Sequence, residues 1–348
     1  MINKFLKKII KKTSFLPIPT IGTHNGFFHC DEVMSCVMLT RYTKEFKDAK
    51  INRTRDDKIL NQQTIVIDVG GCYIPEKLRF DHHQKEFTDK FDEKYLTKMS
   101  SAGLIYKHYG REILKNILEK VLDEHKDKIQ FIPEINEEAI EILYYKLYEN
   151  LFLYVDSIDN GVEQYQNNKI NSEYSINSDL SSRIARLNPL WCEMNQDHEG
   201  QFKIAMNEAN KELVDQVKGL FFGWYIARPI VMKAFNSRVE EKILVLEQSC
   251  PWKDHLINIE RELNKEGLIQ FILYPINNEG WRVQAVPLSK GSFATRTPLK
   301  KEWRGITDLE VLRNVSGIDD IVFCHNSGFI GGAKKLESAL RMAKESLI

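Results

Sequence analysis

The chain has 348 residues, 43% hydrophobic and 28% charged, values of a folded globular protein that exclude a disordered or fibrous one. Lys plus Arg and Asp plus Glu both number 49, so no global charge draws in a polyanion and any nucleic acid must be met by a local patch. The six cysteines (Cys30, Cys36, Cys72, Cys192, Cys250, Cys324) contain no CxxC pair, which excludes a zinc ribbon or a disulfide framework and fits a reducing compartment. No apolar run reaches the roughly 18 residues that span a bilayer, and the length predicts two domains.

The opening MINKFLKKIIKKTSFL holds five lysines and no acid, with Phe5, Leu6, Ile9, Ile10 and Leu16 loosely on one helical face. Residues 1–17 therefore read as an extension, either an organelle-import segment or a basic, unstructured start. PIPTIGTH reads as a buried strand ending in a loop, and residues 31–46 have helical spacing through Val33, Val37 and Met38. Ile65-Val66-Ile67 is a short apolar strand that stops at Asp68. Apolar strands alternating with helices predict an α/β fold on a doubly wound, mainly parallel sheet, over residues 18–200. Within it, 101–125 and 134–156 read as helices and QYQNNKINSEYSINSD as a surface loop. A charged amphipathic helix over 201–222, stopped near Gly219, reads as a connector. KILVLE, IQFILYP and WRVQAVP then predict a smaller mixed sheet over 223–348, closed by IVFCH, a glycine turn and a helix from Ala333.

Acidic and histidine side chains recur where these elements end, the place at which open α/β sheets put their ligands. His24, His29 and Asp31 follow the first strand as HxxxxHxD; Asp68 ends the second; Asp81-His82-His83 follows the strand-like KLRF; Asp156 ends the long helix in YVDSIDNG. Singly, each residue is as easily a cap. Consecutive imidazoles beside a carboxylate are seldom needed for packing, and four such clusters together point to metal. The inventory suits two divalent ions sharing a carboxylate about 3.5–4 Å apart. Mixed imidazole and carboxylate ligands favour Mn²⁺, with Mg²⁺ or Co²⁺ as options. Cys30, between two candidate ligands, reads as a small buried residue.

HxxxxHxD, a later Asp, Asp-His-His and a further Asp, in this order, resemble the four motifs of the DHH phosphoesterase superfamily. THNGFFHCDEVMSCVML, RTRD, IDVGG, FDHHQKEF, SSAGLIY, YVDSIDNG, SSRIARLNP, LEQSCPW, WRGI and HNSGFIGGAKKLESAL resemble the melanocyte-proliferating-gene-one family of eukaryotic exonucleases, from about Pro19 to the end. The resemblance implies a DHH domain followed by a smaller substrate domain, with the active site in the cleft between them. It implies 3′→5′ exonucleolytic cleavage of single-stranded RNA in the mitochondrion, the nucleus or nucleolus, or both. Carried onto this chain, one ion is held by His24, His29 and Asp68, the other by Asp31, Asp68, His82 and Asp156, with Asp68 the bridge. His29 stands where the wider superfamily usually has Asp. His83 faces the scissile phosphate, Asp81 orients its neighbours, and a hydroxide activated by both ions attacks phosphorus.

For the substrate, His325 with Gly331 and Gly332 reads either as a tight strand-to-helix turn or, with the resemblance, as a site for a phosphate or terminal nucleotide. KGSFATRTPLKKEWRG, with Lys290, Arg296, Lys300, Lys301 and Arg304 around Phe293 and Trp303, reads as a backbone-and-base contact or a solvated loop. Arg53, Arg55, Arg183 and Arg186 are phosphate contacts or ordinary ion-pair partners. Two other functions fit the same residues: a phosphoesterase of dinucleotides or pyrophosphate, which the neutral net charge favours, and a noncatalytic RNA-binding protein, which an intact metal set disfavours.

Overall fold

The computed structural model describes residues 18–129, 135–163, 176–276, 279–289 and 291–347. The basic extension, most of the loop at 164–179, and Lys290 lie outside them. The chain divides into two compact units, one up to Leu220 and one from Phe221.

The first unit is built on a five-stranded sheet. Strand β1 (Thr20–Thr23) lies between β2 (Lys50–Arg53) and β3 (Ile65–Ile67), both parallel to it. Beyond β3 come β5 (Arg79–Phe80), parallel, and β4 (Tyr73–Ile74), antiparallel, at the far edge. Every residue of β3 is buried, as an inner parallel strand requires. Helix α1 (Cys30–Tyr42) is buried all round except at Arg41, and α2 (Asp57–Leu60) is a single turn capped by Asp56. Helix α3 (Ser101–His125) packs on α1, with Ser101 through Tyr106 all buried.

The expected helix at 134–156 is three segments: α4 (Glu137–Leu147), a π-helical turn (Tyr148–Phe152) and α5 (Leu153–Asp159). The wider turn slots its aromatic rings into neighbours: Tyr148 lies on Phe91 with centroids 3.7 Å apart, and Phe152 on Tyr106 at 4.1 Å. After α6 (Leu180–Ala185), helix α7 (His198–Gly223) runs from the first unit into the second. Gly219 does not stop it. A Cβ there would meet nothing within 4 Å, so the glycine costs only its propensity, about 1 kcal/mol.

The second unit has a mixed sheet ordered β6 (Ile243–Val245), β7 (Phe271–Ile276), β8 (Gly280–Ala285), β10 (Ile330–Ala333), β9 (Ile321–Cys324); only β6 and β7 are parallel. Helices α10 (Leu309–Ser316) and α11 (Leu336–Glu345) cover one face around Leu273, Val283 and Met342. Helices α8 (Arg228–Ser237) and α9 (Lys253–Glu262) pack against Leu244 and Ile272 on the other. The glycine pair expected in a strand-to-helix turn instead sits inside β10, with the helix starting three residues later than expected.

Candidate active site

His24 immediately follows β1, Asp68 follows β3 and Asp81 follows β5. Because these three strands are adjacent and parallel, their carboxyl ends bring residues far apart in sequence to one edge of the sheet. There they line a pocket of about 920 Å³. His29 and Asp31 enter it from the start of α1, and Asp159 from the end of α5.

Asp68 occupies the middle. One carboxylate oxygen lies 3.2 Å from His24 Nε2 and the other 3.1 Å from His82 Nε2. Its φ of 57° is a left-handed conformation that Asp, Asn and Gly tolerate best. Around it three overlapping sets of donors fall close enough to share an ion: His24, His29, Glu32 and Asp68; Asp68, His82 and His83; Asp31, His82 and Asp159. Among the described residues Asp31 Oδ1 is buried with no hydrogen-bond partner, a cost that a cation beside it would relieve. Imidazole and carboxylate donors of this kind fit a borderline divalent ion.

The titration behaviour follows from burying like charges together. Burial lowers the His24 pKa, but hydrogen bonds to Asp68 and Glu32 outweigh it and lift the group to about 10. His82 is likewise lifted to about 9, burial being overcome by Asp68, Asp31 and Asp159. Burial and the charge of Asp31 push Asp159 up to about 9, and burial pushes Glu32 up to about 8. Asp68 goes the other way: its burial is outweighed by His24 and His82, which hold it below the ordinary carboxylate range.

Asp81 is bonded to its neighbours in the chain and to Gly71. Oδ1 accepts from the backbone N–H of His82 at 2.8 Å and lies 2.7 Å from His83 Nδ1, while Oδ2 accepts from Gly71 N–H at 2.6 Å. It therefore fixes the His83 imidazole through its ring and His82 through its backbone. His83, its side chain 62% exposed, lines the pocket, and the bond to Asp81 raises its pKa.

Asp156 is not brought into the pocket. It is fully buried, Oδ1 accepting from Ser100 N–H at 2.9 Å and Ser100 Oγ at 2.7 Å, and Oδ2 from Tyr148 Oη at 2.8 Å. A Cβ on Gly103 would run into this carboxylate, so the position must be glycine for Asp156 to sit there. The acid that reaches the pocket from YVDSIDNG is Asp159, 3.3 Å from His82 Nε2. The sequence signal that separates the two is the helix stop at Asn160-Gly161, which leaves Asp159 at an open end. Glu32 is a second acid that the motifs do not mark; its carboxylate accepts from His29 N–H at 2.9 Å and lies 3.1 Å from His24 Nε2.

Of the arginines considered for phosphate, Arg55 lines the pocket. Arg53 is a structural residue: its guanidinium is fully buried, donates to Gly26 O at 2.7 Å, pairs with Glu199 and lies over the Phe202 ring. Arg183 is bound to Glu208 and Glu212 on α7, and the exposed Arg186 donates to Asn177 O. In the second unit Arg296 is clamped by both oxygens of the buried Glu260 and by Ile269 O, so it too is held by the protein. His325 is exposed and bonded through Nδ1 to Ser327. Gly331 and Gly332 are buried strand residues; a Cβ on the first would press on Leu299 and Met342, and on the second on Phe323 and Arg282. The residue that makes the turn is Gly328, at φ 73°.

A family model described as an uncharacterised protein family, UPF0160, matches residues 20–347. The chain is 41% identical to the MYG1 protein of Dictyostelium discoideum, over 94% of this chain and 96% of that one. It is 39% identical to the MYG1 exonuclease of Homo sapiens, over 97% and 88%, and 38% identical to a MYG1 protein of Saccharomyces cerevisiae, over 94% and 95%. With identity at this level over nearly the whole length, the chain belongs to the MYG1 family.

Proposed function

We propose that this protein is a metal-dependent phosphodiesterase of the DHH type, and that it acts as a 3′→5′ exonuclease on single-stranded RNA. The observation that carries the metal part is Asp68, whose two oxygens face opposite sets of donors. One divalent ion would be held by His24, His29 and Asp68, the other by Asp31, Asp68, His82 and Asp159; Mn²⁺ suits the donors best. When bound, the pair supplies Lewis acidity and a lowered pKa for water. The family's exonuclease name supports nucleic acid as the substrate.

The chain's own residues bind and orient. Asp81 holds the His83 ring and the His82 backbone, and His83, with Nδ1 bonded to Asp81, would donate from Nε2 to a non-bridging oxygen of the scissile phosphate. Arg55 adds a cation at the same pocket. Hydrolysis forms a bond from water oxygen to phosphorus and breaks the bond from phosphorus to O3′ of the preceding nucleotide. Water gives up a proton and O3′ takes one from solvent, releasing a nucleoside 5′-monophosphate.

The test is hydrolysis of 3′-labelled and 5′-labelled RNA, matched DNA, and dinucleotides by protein stripped of metal and then reloaded with Mn²⁺, Mg²⁺ or Co²⁺. The expected result is a ladder shortening from the 3′ end of RNA, restored by Mn²⁺. Cleavage of dinucleotides alone would transfer the site to the small-molecule reading, and full activity after stripping would remove metal from it.

A further inference from the structure

Lys98 lies at this pocket although no motif singles it out. It and Arg55 line the cavity, and among the described residues neither has a carboxylate within 4.0 Å. That separates them from Arg53, Arg183 and Arg296, each of which is bound to an acid. A lysine beside a crowd of acids would ordinarily collapse onto one of them. Its backbone is fixed: Asn160 Nδ2 donates to Lys98 O at 3.1 Å, and the N–H of the next residue, Met99, donates to Asp89 O at 2.9 Å. The two residues after that are Ser100 and Ser101, which hold Asp156 and Asp31. Lys98 is thus mounted on the same frame as the acids without pairing to them.

Charge balance gives the lysine a task. Asp31, Asp68, Asp81 and Asp159 line the pocket, and two divalent ions would only cancel their four negative charges. A phosphodiester and an attacking hydroxide bring two more. Beside His83, which is paired with Asp81, Arg55 and Lys98 are the lining arginine and lysine able to match them.

We propose that Lys98 is a further catalytic residue: its ammonium donates hydrogen bonds to the non-bridging oxygens of the scissile phosphate and stabilises the charge that grows on them in the transition state. It transfers no proton. The proposal rests on the phosphodiesterase reading, so its test carries a readout that does not need turnover.

The variants are Lys98→Met, which keeps the length and loses the charge, and Lys98→Arg, which keeps the charge. Three quantities are compared with the parent in Mn²⁺: bound metal after dialysis, steady-state cleavage of a short RNA, and binding of orthovanadate by calorimetry. Lys98→Met is expected to keep its metal, lose kcat by about 100-fold with KM moved less than about threefold, and bind vanadate at least about tenfold more weakly; Lys98→Arg should recover most of both losses. Parent-like kcat or vanadate affinity in Lys98→Met overturns the proposal, as does loss of metal, which would make the lysine structural. A parent that cleaves no RNA sinks the nuclease reading, while the vanadate comparison still decides Lys98; a parent that binds no vanadate overturns the proposal.

Discussion

Asp156 and Asp159 are three residues apart on one short helix, and exchanging each for Asn should have opposite consequences. Burial raises the Asp156 pKa from 3.8 to about 7, against the pull of the Ser100 and Tyr148 bonds. At 1.36 kcal/mol per pH unit, ionising the buried carboxyl costs the native state about 4 kcal/mol relative to the unfolded chain. The sign follows: the native state holds the proton more tightly, so this group's contribution to stability falls as pH rises from about 4 to 7 and is flat above. In Asp156→Asn the amide would keep the acceptor for Ser100 and donate to the Tyr148 oxygen, without the titration. In metal-free buffer the Tm of Asp156→Asn minus that of the parent should therefore climb between about pH 4 and 7. Asp156→Asn should still bind metal, whereas Asp159→Asn, which removes a carboxylate 3.3 Å from His82, should weaken metal binding about 100-fold, roughly 2.7 kcal/mol. The assays are thermal unfolding across pH and metal titration by calorimetry. Metal loss in Asp156→Asn with none in Asp159→Asn, or a Tm difference that does not move with pH, refutes the reasoning.

Asp68→Asn should strip most of both ions, because a neutral amide cannot hold two dications together, while Asp31→Asn retains the ion of His24 and His29; metal analysis after dialysis decides. Asn is the right probe at 68, since it tolerates the positive φ as Asp does. Gly331→Val should lower the stability of the second unit by about 1–3 kcal/mol or more, its branched side chain meeting Leu299, Met342 and Phe323 O, so that any loss of RNA binding disappears under conditions that restore folding; denaturant unfolding measures it. Arg296→Met leaves Glu260, 1% exposed, without its cation and should cost about 3–5 kcal/mol, with RNA affinity unchanged in the folded protein.

The parallel half of the fold was legible because its strands announce themselves: Ile65-Val66-Ile67 has no polar side to show, and His24, Asp68 and Asp81 each stand one residue beyond a strand. The mixed second sheet was equally plain from its short apolar runs. What pattern did not resolve was any choice that depends on a neighbour. Asp156 and Asp159 are both helical acids, and only the Ser100, Tyr148 and Gly103 environment claims one of them for the interior. Arg53 and Arg296 look like phosphate contacts until Glu199 and Glu260 arrive from more than 30 residues away. Gly331 and Gly332 suggested a turn because glycine is read as a breaker, yet here it permits close packing between strands and a helix. The π-helical turn leaves no periodic trace at all.

The donors run from His24 to Asp159, so the pocket does not exist until β1, β3 and β5 have found one another and α5 has docked. Parallel pairings across such separations close slowly, since the loop entropy is spent before the contacts repay it. On the proposed metal reading, an ion held by donors from several of these elements would have little to hold in the transition state for folding. It would act on the finished protein, so added metal should slow unfolding and leave the refolding rate nearly unchanged. A metal-starved cell would then hold a pool of this protein that folds on time and falls apart early.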